Sequence, residues 1–235
     1  MILKYQEFIN EQINVHDQLE EICQGDDLAA YRWDAKSTDS KQLEHLFKVE
    51  KLTDNTLKRM MGKSYPEDCE VAIGDLRYLI IPHYDGKGAI KIGEIVCNKK
   101  VSDKFLYLFK ELYKRKYPIE RMELIDNYDG DDNRSMSANN TSSFNYRKIK
   151  GSDKLSQHAF GMAIDINPLY NPCVRGEHIS PEAGMAYADR TKQEKYMLRR
   201  DDIVYRILHD KFGFTWGADF EKCIDYQHYE LSPHK

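Results

Sequence analysis

The chain has 235 residues, 41% hydrophobic and 31% charged, which suffices to bury a core without disulfide staples. Thirty-five basic residues face 39 acidic ones, a net charge of −4 that argues against a nucleic-acid partner or an anionic membrane surface. No run approaches the roughly 18 apolar residues of a membrane span, so none is expected.

The opening "MILKYQEFINEQINVHDQLEEICQ" has no basic start, apolar stretch and small-residue cleavage site in succession, so no signal peptide is visible. Ile2, Tyr5, Ile9, Ile13 and Leu19 fall at helical spacing and predict an amphipathic helix over residues 2–23. A second helix is expected over residues 41–49. A third, capped by Thr53 or Asp54, is expected to end at Gly62. Residues 1–62 therefore read as a helical extension, and residues 63–235 as the main domain.

Beyond Gly62 the pattern changes. "DLRYLIIPHY" and "GKGAIKIGEIVCN" are rich in β-formers and predict a hairpin turning near Gly86–Gly88. "SDKFLYLFKELYKRKYP" is an amphipathic helix with Ser102 as cap, a stripe of Phe105, Leu108, Phe109 and Leu112, and a stop at Pro118. "IERMELI" reads as a strand. Residues 126–157 form a long polar stretch, and loops of that length are usually functional or disordered. Its aromatics and its arginines, Arg134 and Arg147, argue against disorder. "GMAIDINP" is a short strand, "DDIVYRILHDKFGF" a helix closed by Gly213, and "DYQHYEL" leads into a last strand. Helices mixed with hairpin-like strands favour an α+β fold: a small antiparallel sheet with flanking helices and a site in a cleft on the sheet.

The five cysteines, Cys23, Cys69, Cys97, Cys173 and Cys223, contain no CxxC pair, so neither a disulfide framework nor a zinc ribbon is indicated. Free or buried thiols are expected, with a Cys69–Cys97 bridge left open. "DNYDGDD", Asp126 to Asp132, lacks the register and the final Glu of a calcium loop and reads as a solvated acidic loop.

Two short stretches carry chemistry. "SQHAFGMAID" holds His158 and Asp165, and "DYQHYE" holds Asp225 and His228, each among apolar or aromatic residues that exclude water. A catalytic zinc site needs about three His or carboxylate ligands and an open position. It also needs a base that is not a ligand. His158 and His228 are natural ligands, Asp165 can complete the set, and Asp225 is left to take a proton. Residues three apart on a strand face opposite ways. Asp225 and His228 can therefore share a site only if Asp225 precedes the strand or sits at a bulge. By spacing alone the signal is modest, because a His-x6-Asp pair arises readily by chance.

"SQHAFGMAIDINP" together with "DYQHYE" resembles the signature pair of the M15 family of zinc peptidases. That family contains VanY- and VanX-like D-alanyl-D-alanine carboxypeptidases and L-alanyl-D-glutamate endopeptidases. Ser156, His158, Gly161, Ala163 and Asp165 match the first pattern, and Asp225 and His228 the second. "NNTSSFNYR", ending at Arg147, resembles the preceding segment of VanY-like members. The resemblance implies Zn2+ held by His158, Asp165 and His228, with Asp225 as catalytic base. It gives Arg147 a substrate carboxylate or the oxyanion to hold, and Ser156 a place in the substrate site or a turn. Asp at position 225 is the endopeptidase habit, whereas the segment before Arg147 is carboxypeptidase-like. The implied substrates are peptidoglycan stem peptides, and the implied location is extracytoplasmic, in tension with the opening residues. The alternative is a catalytically silent zinc module of the same fold that binds cell-wall material or a protein partner. Oligomeric state is not readable.

Overall fold

The computed structural model describes residues 45–232 together with the backbone of residues 32–33. The helix expected over residues 2–23 lies outside them, as does Cys23.

The longest sheet has the order β1-β4-β3-β2. Its centre is the expected hairpin, β3 (Leu76–Tyr84) and β4 (Ile90–Asn98), paired antiparallel from Leu76↔Asn98 to Tyr84↔Ile90. The turn holds because Asp85 Oδ1 accepts from the backbone N–H groups of Lys87 and Ala89, while Gly88 takes a positive φ. The short β1 (Arg32–Trp33) pairs with β4, and β2 (Lys48–Glu50) pairs with β3. Residues 48–50 thus form an edge strand where the second helix is expected. Pairing with Ile80, Leu79 and Tyr78 overrides the local helical spacing.

Helix α1 (Asp54–Met60) follows, with Thr53 Oγ1 accepting from Thr56 N. Arg59 reaches back to Glu94 on β4 with two hydrogen bonds, 2.8 and 2.5 Å, so the buried Glu94 carboxylate is paired. Helix α2 (Ser102–Lys114) packs its predicted stripe of Phe105, Leu108, Phe109 and Leu112 into the core under β3. Its cap position is Val101 rather than Ser102, whose hydroxyl instead donates back to Lys99 O.

Residues 119–125 do not form the expected strand. They are tied beside the sheet by the single bridge Arg121↔Asn140 and by the Glu94 N–H to Met122 O bond, and Ile125 already opens a 3-10 turn, Ile125–Tyr128. The long polar stretch after them is structured and largely buried. Helix α3 (Asp132–Ser137) is capped by Asp131, and Asn140, Thr141, Ser143 and Asn145 are buried with backbone or side-chain partners. The acidic run is spent on structure. Asp126 accepts from Ser64 N, Asp129 pairs with Lys63 and Arg134, and Asp132 holds Arg147 and Asn145.

Two three-stranded sheets complete the α+β fold. One has the order β5-β10-β8, from β5 (Ala163–Asp165), β8 (Thr215–Trp216) and β10 (His228–Glu230). The other has the order β7-β6-β9, from β6 (Cys173–Arg175), β7 (His178–Ser180) and β9 (Ile224–Asp225). The expected late helix is α4 (Ile203–Tyr205), continued by a π-helical Arg206–Lys211 and ended by Gly213 at positive φ. Cys69, Cys97, Cys173 and Cys223 are free thiols. No Cys69–Cys97 bridge forms, since Cys69 lies against Tyr65 and Cys97 is sealed in β4. Among the described residues no helix is long and apolar enough to cross a membrane.

Candidate metal centre

The site is assembled by strand register. In the β5–β10 ladder Asp165 lies directly opposite His228, and directly opposed residues project to the same face. His158 comes from a single 3-10 turn, Gln157–Phe160, just before β5. Ser156 starts that turn, its hydroxyl accepting from His158 N. Gly161 ends it at a φ of 65°, and a Cβ there would lie 2.6 Å from Asn98 N on β4. Only glycine satisfies both demands. The turn is thereby pressed onto the main sheet, and His158 is fixed relative to Asp165.

Three ligand atoms converge. His158 Nε2 and His228 Nδ1 are 3.1 Å apart, His228 Nδ1 and Asp165 Oδ1 3.0 Å, and His158 Nε2 and Asp165 Oδ1 3.2 Å. Ligands at zinc-bond length on a tetrahedral ion stand about 3.3 Å from one another, so the triangle suits a single small cation. All three residues are buried. The outer ring atoms fix which nitrogens face inward. His158 Nδ1 is 2.6 Å from Ser143 O, and a carbonyl only accepts, so Nδ1 carries the proton and Nε2 turns its lone pair to the centre. His228 Nε2 donates to Glu230 Oε2 at 3.0 Å, which leaves Nδ1 as its inward atom.

Electrostatics follow from this packing. Burial alone would raise the Asp165 carboxyl, but the charges and hydrogen bonds of His158 and His228 hold it far below the usual range. Burial would lower His228, yet hydrogen bonds to Asp165 and Glu230 outweigh it and push the ring up to about 10. The Asp165 and Glu230 carboxylates thus favour a proton on His228, with which a metal at Nδ1 would compete.

Asp225 stands beside this triangle but outside the ligand set. It ends β9, and only the turn residues Tyr226 and Gln227 separate it from His228 at the start of β10. Asp225 thus precedes the strand that carries His228, which meets the condition for a shared site. Gly217 makes the approach possible, since a Cβ there would fall 2.5 Å from Asp225 O and 3.1 Å from His228 Cβ. Asp225 Oδ1 is buried with no hydrogen-bond partner. Burial first, then the nearby Asp165 charge, pushes its carboxyl up to about 6 against the pull of both histidines.

Residues 150–231 match the family model described as D-alanyl-D-alanine carboxypeptidase, of the M15 peptidases. That segment is, by this match, similar to the M15 peptidases. It holds every residue of the metal triangle and Asp225, and ends just after Glu230. No curated protein and no solved structure matches the chain. M15 peptidases are zinc enzymes, and the His–Asp–His group here has the donor chemistry to hold such an ion.

Arg147 and Ser156 lie close by in the chain path, since Ser156 N donates to Arg147 O at 3.0 Å. The Arg147 guanidinium is engaged by Asp132. Spacing missed three contributors. Glu230, two residues beyond His228 on the same strand face, was legible from strand period alone. Ser143 and Gly217 act through tertiary contact and leave no local signal.

Proposed function

We propose that the chain is a zinc-dependent peptidase that hydrolyses D-amino-acid-containing bonds of peptidoglycan stem peptides. The candidates are a D-Ala-D-Ala carboxypeptidase or an L-Ala-D-Glu endopeptidase. One observation carries the reading: a buried carboxylate oxygen with no partner, on Asp225, beside three converging ligand atoms. A module that only binds zinc has no use for a buried carboxylate oxygen left without a hydrogen bond, which costs stability.

His158, Asp165 and His228 would hold the ion. When bound, zinc supplies Lewis acidity toward a water and the scissile carbonyl. Asp225 takes the proton from the attacking water and returns it to the leaving amine; a carboxyl raised by burial is suited to both transfers. Ser143 and Glu230 keep the imidazoles oriented throughout. Arg147 binds a substrate carboxylate or steadies the developing oxyanion, after exchanging Asp132 for substrate. Ser156 acts through the turn that presents His158. The substrate places the protein's work outside the cytoplasm.

The test is digestion of purified muropeptides with and without a chelator, read by mass spectrometry. Cleavage that stops with chelator and returns with zinc is expected, and the product masses name the bond. Intact muropeptides after incubation with the zinc-loaded protein would refute the reading.

A further inference from the structure

A cavity of about 310 Å³ lies on the other side of the strand that carries Asp225. Its wall includes Ile224 and Tyr226, the chain neighbours of Asp225. Side chains alternate along a strand, so Asp225 serves the metal centre while its neighbours face the cavity. Trp216 forms another wall, its indole N–H donating to Tyr226 O at 2.9 Å.

Three guanidiniums, Arg190, Arg199 and Arg200, line the same cavity. Only Arg200 has a carboxylate, Asp219. Among the described residues neither Arg190 nor Arg199 has an ion-pair partner. Arg190 is bound instead to oxygens without charge: Tyr170 O at 3.0 Å, Asn171 Oδ1 at 3.3 Å and Leu198 O. Its Cζ lies 4.4 Å over the Tyr226 ring. Arg199 donates to Lys192 O and, more weakly, to Arg190 O. The nearby acids are engaged elsewhere, Asp189 with Thr191 and Lys192, Asp202 with Tyr117 and Val204 N. Burial, together with the Arg199 charge, draws the Arg190 guanidinium below its ordinary value. Two like charges held together, half-buried and without a counter-ion, oppose folding unless an anion repays them.

We infer that this cavity is a subsite for a carboxylate of the peptide substrate, remote from the bond that is cut. Planar guanidiniums match a carboxylate in two-pronged fashion, and the Ile224, Trp216 and Tyr226 walls suit the methylene stem that carries it. The inference rests on the peptidase reading for its choice of ligand, an acidic stem peptide. Binding here anchors the peptide while the strand between positions it at Asp225.

The experiment separates this subsite from the metal and from catalysis. The full chain, zinc-loaded and chelated, is titrated calorimetrically with N-acetyl-L-alanyl-D-glutamate and with its diamide. The acid is expected to bind the chelated protein at least about tenfold more tightly than the diamide, in keeping with charge-assisted hydrogen bonds. Arg199→Gln should erase that preference while zinc uptake is unchanged. Arg200→Gln, at the more exposed guanidinium already paired with Asp219, should weaken it. Equal binding of acid and diamide by the chelated protein overturns the subsite, as does a preference that survives both substitutions. Failure to cleave muropeptides would instead strike the peptidase reading and leave this binding result standing.

Discussion

The long β3–β4 hairpin and the short β5–β10 ladder do opposite work. Each hairpin strand runs nine residues, mostly buried, and meets α2 through a continuous apolar core. The β5–β10 ladder pairs only three residues with three, yet two of its six positions are metal-ligand candidates. Such a ladder cannot hold itself together. It is braced from outside, by Ser143 Oγ donating to Ala163 O, by the Ser142↔Asp165 bridge, and by Trp216 stacked on Tyr229. The hairpin supplies stability, and the ladder spends it on holding polar groups buried and close.

That division makes the two regions separable by mutation. The largest effect belongs to Asp225. Asp225→Ala should lower peptidase turnover by about 10²–10⁴-fold, the usual worth of a general base, with zinc content unchanged. Zinc lost along with activity would make Asp225 a ligand and end the division of roles. Its counterpart is Leu79→Ala in β3, a fully buried core position. Here unfolding free energy should fall by about 2–5 kcal/mol in denaturant titration, while zinc affinity below the transition stays as in the parent. A parallel loss of zinc affinity would show that the hairpin and the ladder are one cooperative site.

The same contrast explains what was legible in the sequence. The hairpin and α2 announce themselves by periodicity over nine or more residues, because a large buried face imposes it. β5 and β10 are short: alternation in "GMAIDINP" points to the first and "DYQHYEL" only leads into the second, while the site they carry is legible through the types and spacing of His158, Asp165, Asp225 and His228. Residues 48–50 misled, since a three-residue edge strand takes its conformation from its partner. Residues 126–157 read as an open loop because their burial is polar. Asn140, Thr141 and Asn145 are sealed in by hydrogen bonds, and hydropathy has no signal for that. The cationic cavity was invisible too, Arg190 lying far along the chain from the Tyr226 ring it stacks on.

Acid should distinguish the regions next. His83 on β3 is fully buried, with Nδ1 donating to Ile119 O at 2.8 Å. Burial pulls its ring down to about 4 from an ordinary value of 6.5. The unfolded chain therefore binds a proton that the folded chain refuses between those values. The neutral-His83 contribution is complete above pH 6.5 and is lost as pH falls toward 4, roughly 3 kcal/mol in all. His83→Gln keeps a donor for Ile119 O and has no such titration. Its stability curve should lie flatter than the parent's in that window, as measured by denaturant midpoints. Curves of identical slope would remove His83 from the acid response.

The smallest expected effect tests the ladder's own bracing. Glu230 shares a strand face with His228 and receives its Nε2 proton. Leucine there leaves the imidazole free to present either nitrogen, and zinc affinity should drop about 10–100-fold in a chelator competition. Glu230→Gln keeps an acceptor for the same proton but not the charge, so its loss should be smaller. The order parent, Gln, Leu follows only if Glu230 fixes the inward nitrogen and also lends its charge. If instead the Gln variant binds zinc as poorly as the Leu variant, the charge alone matters. If the Leu variant binds like the parent, His228 is held by Asp165 and the ladder register without help.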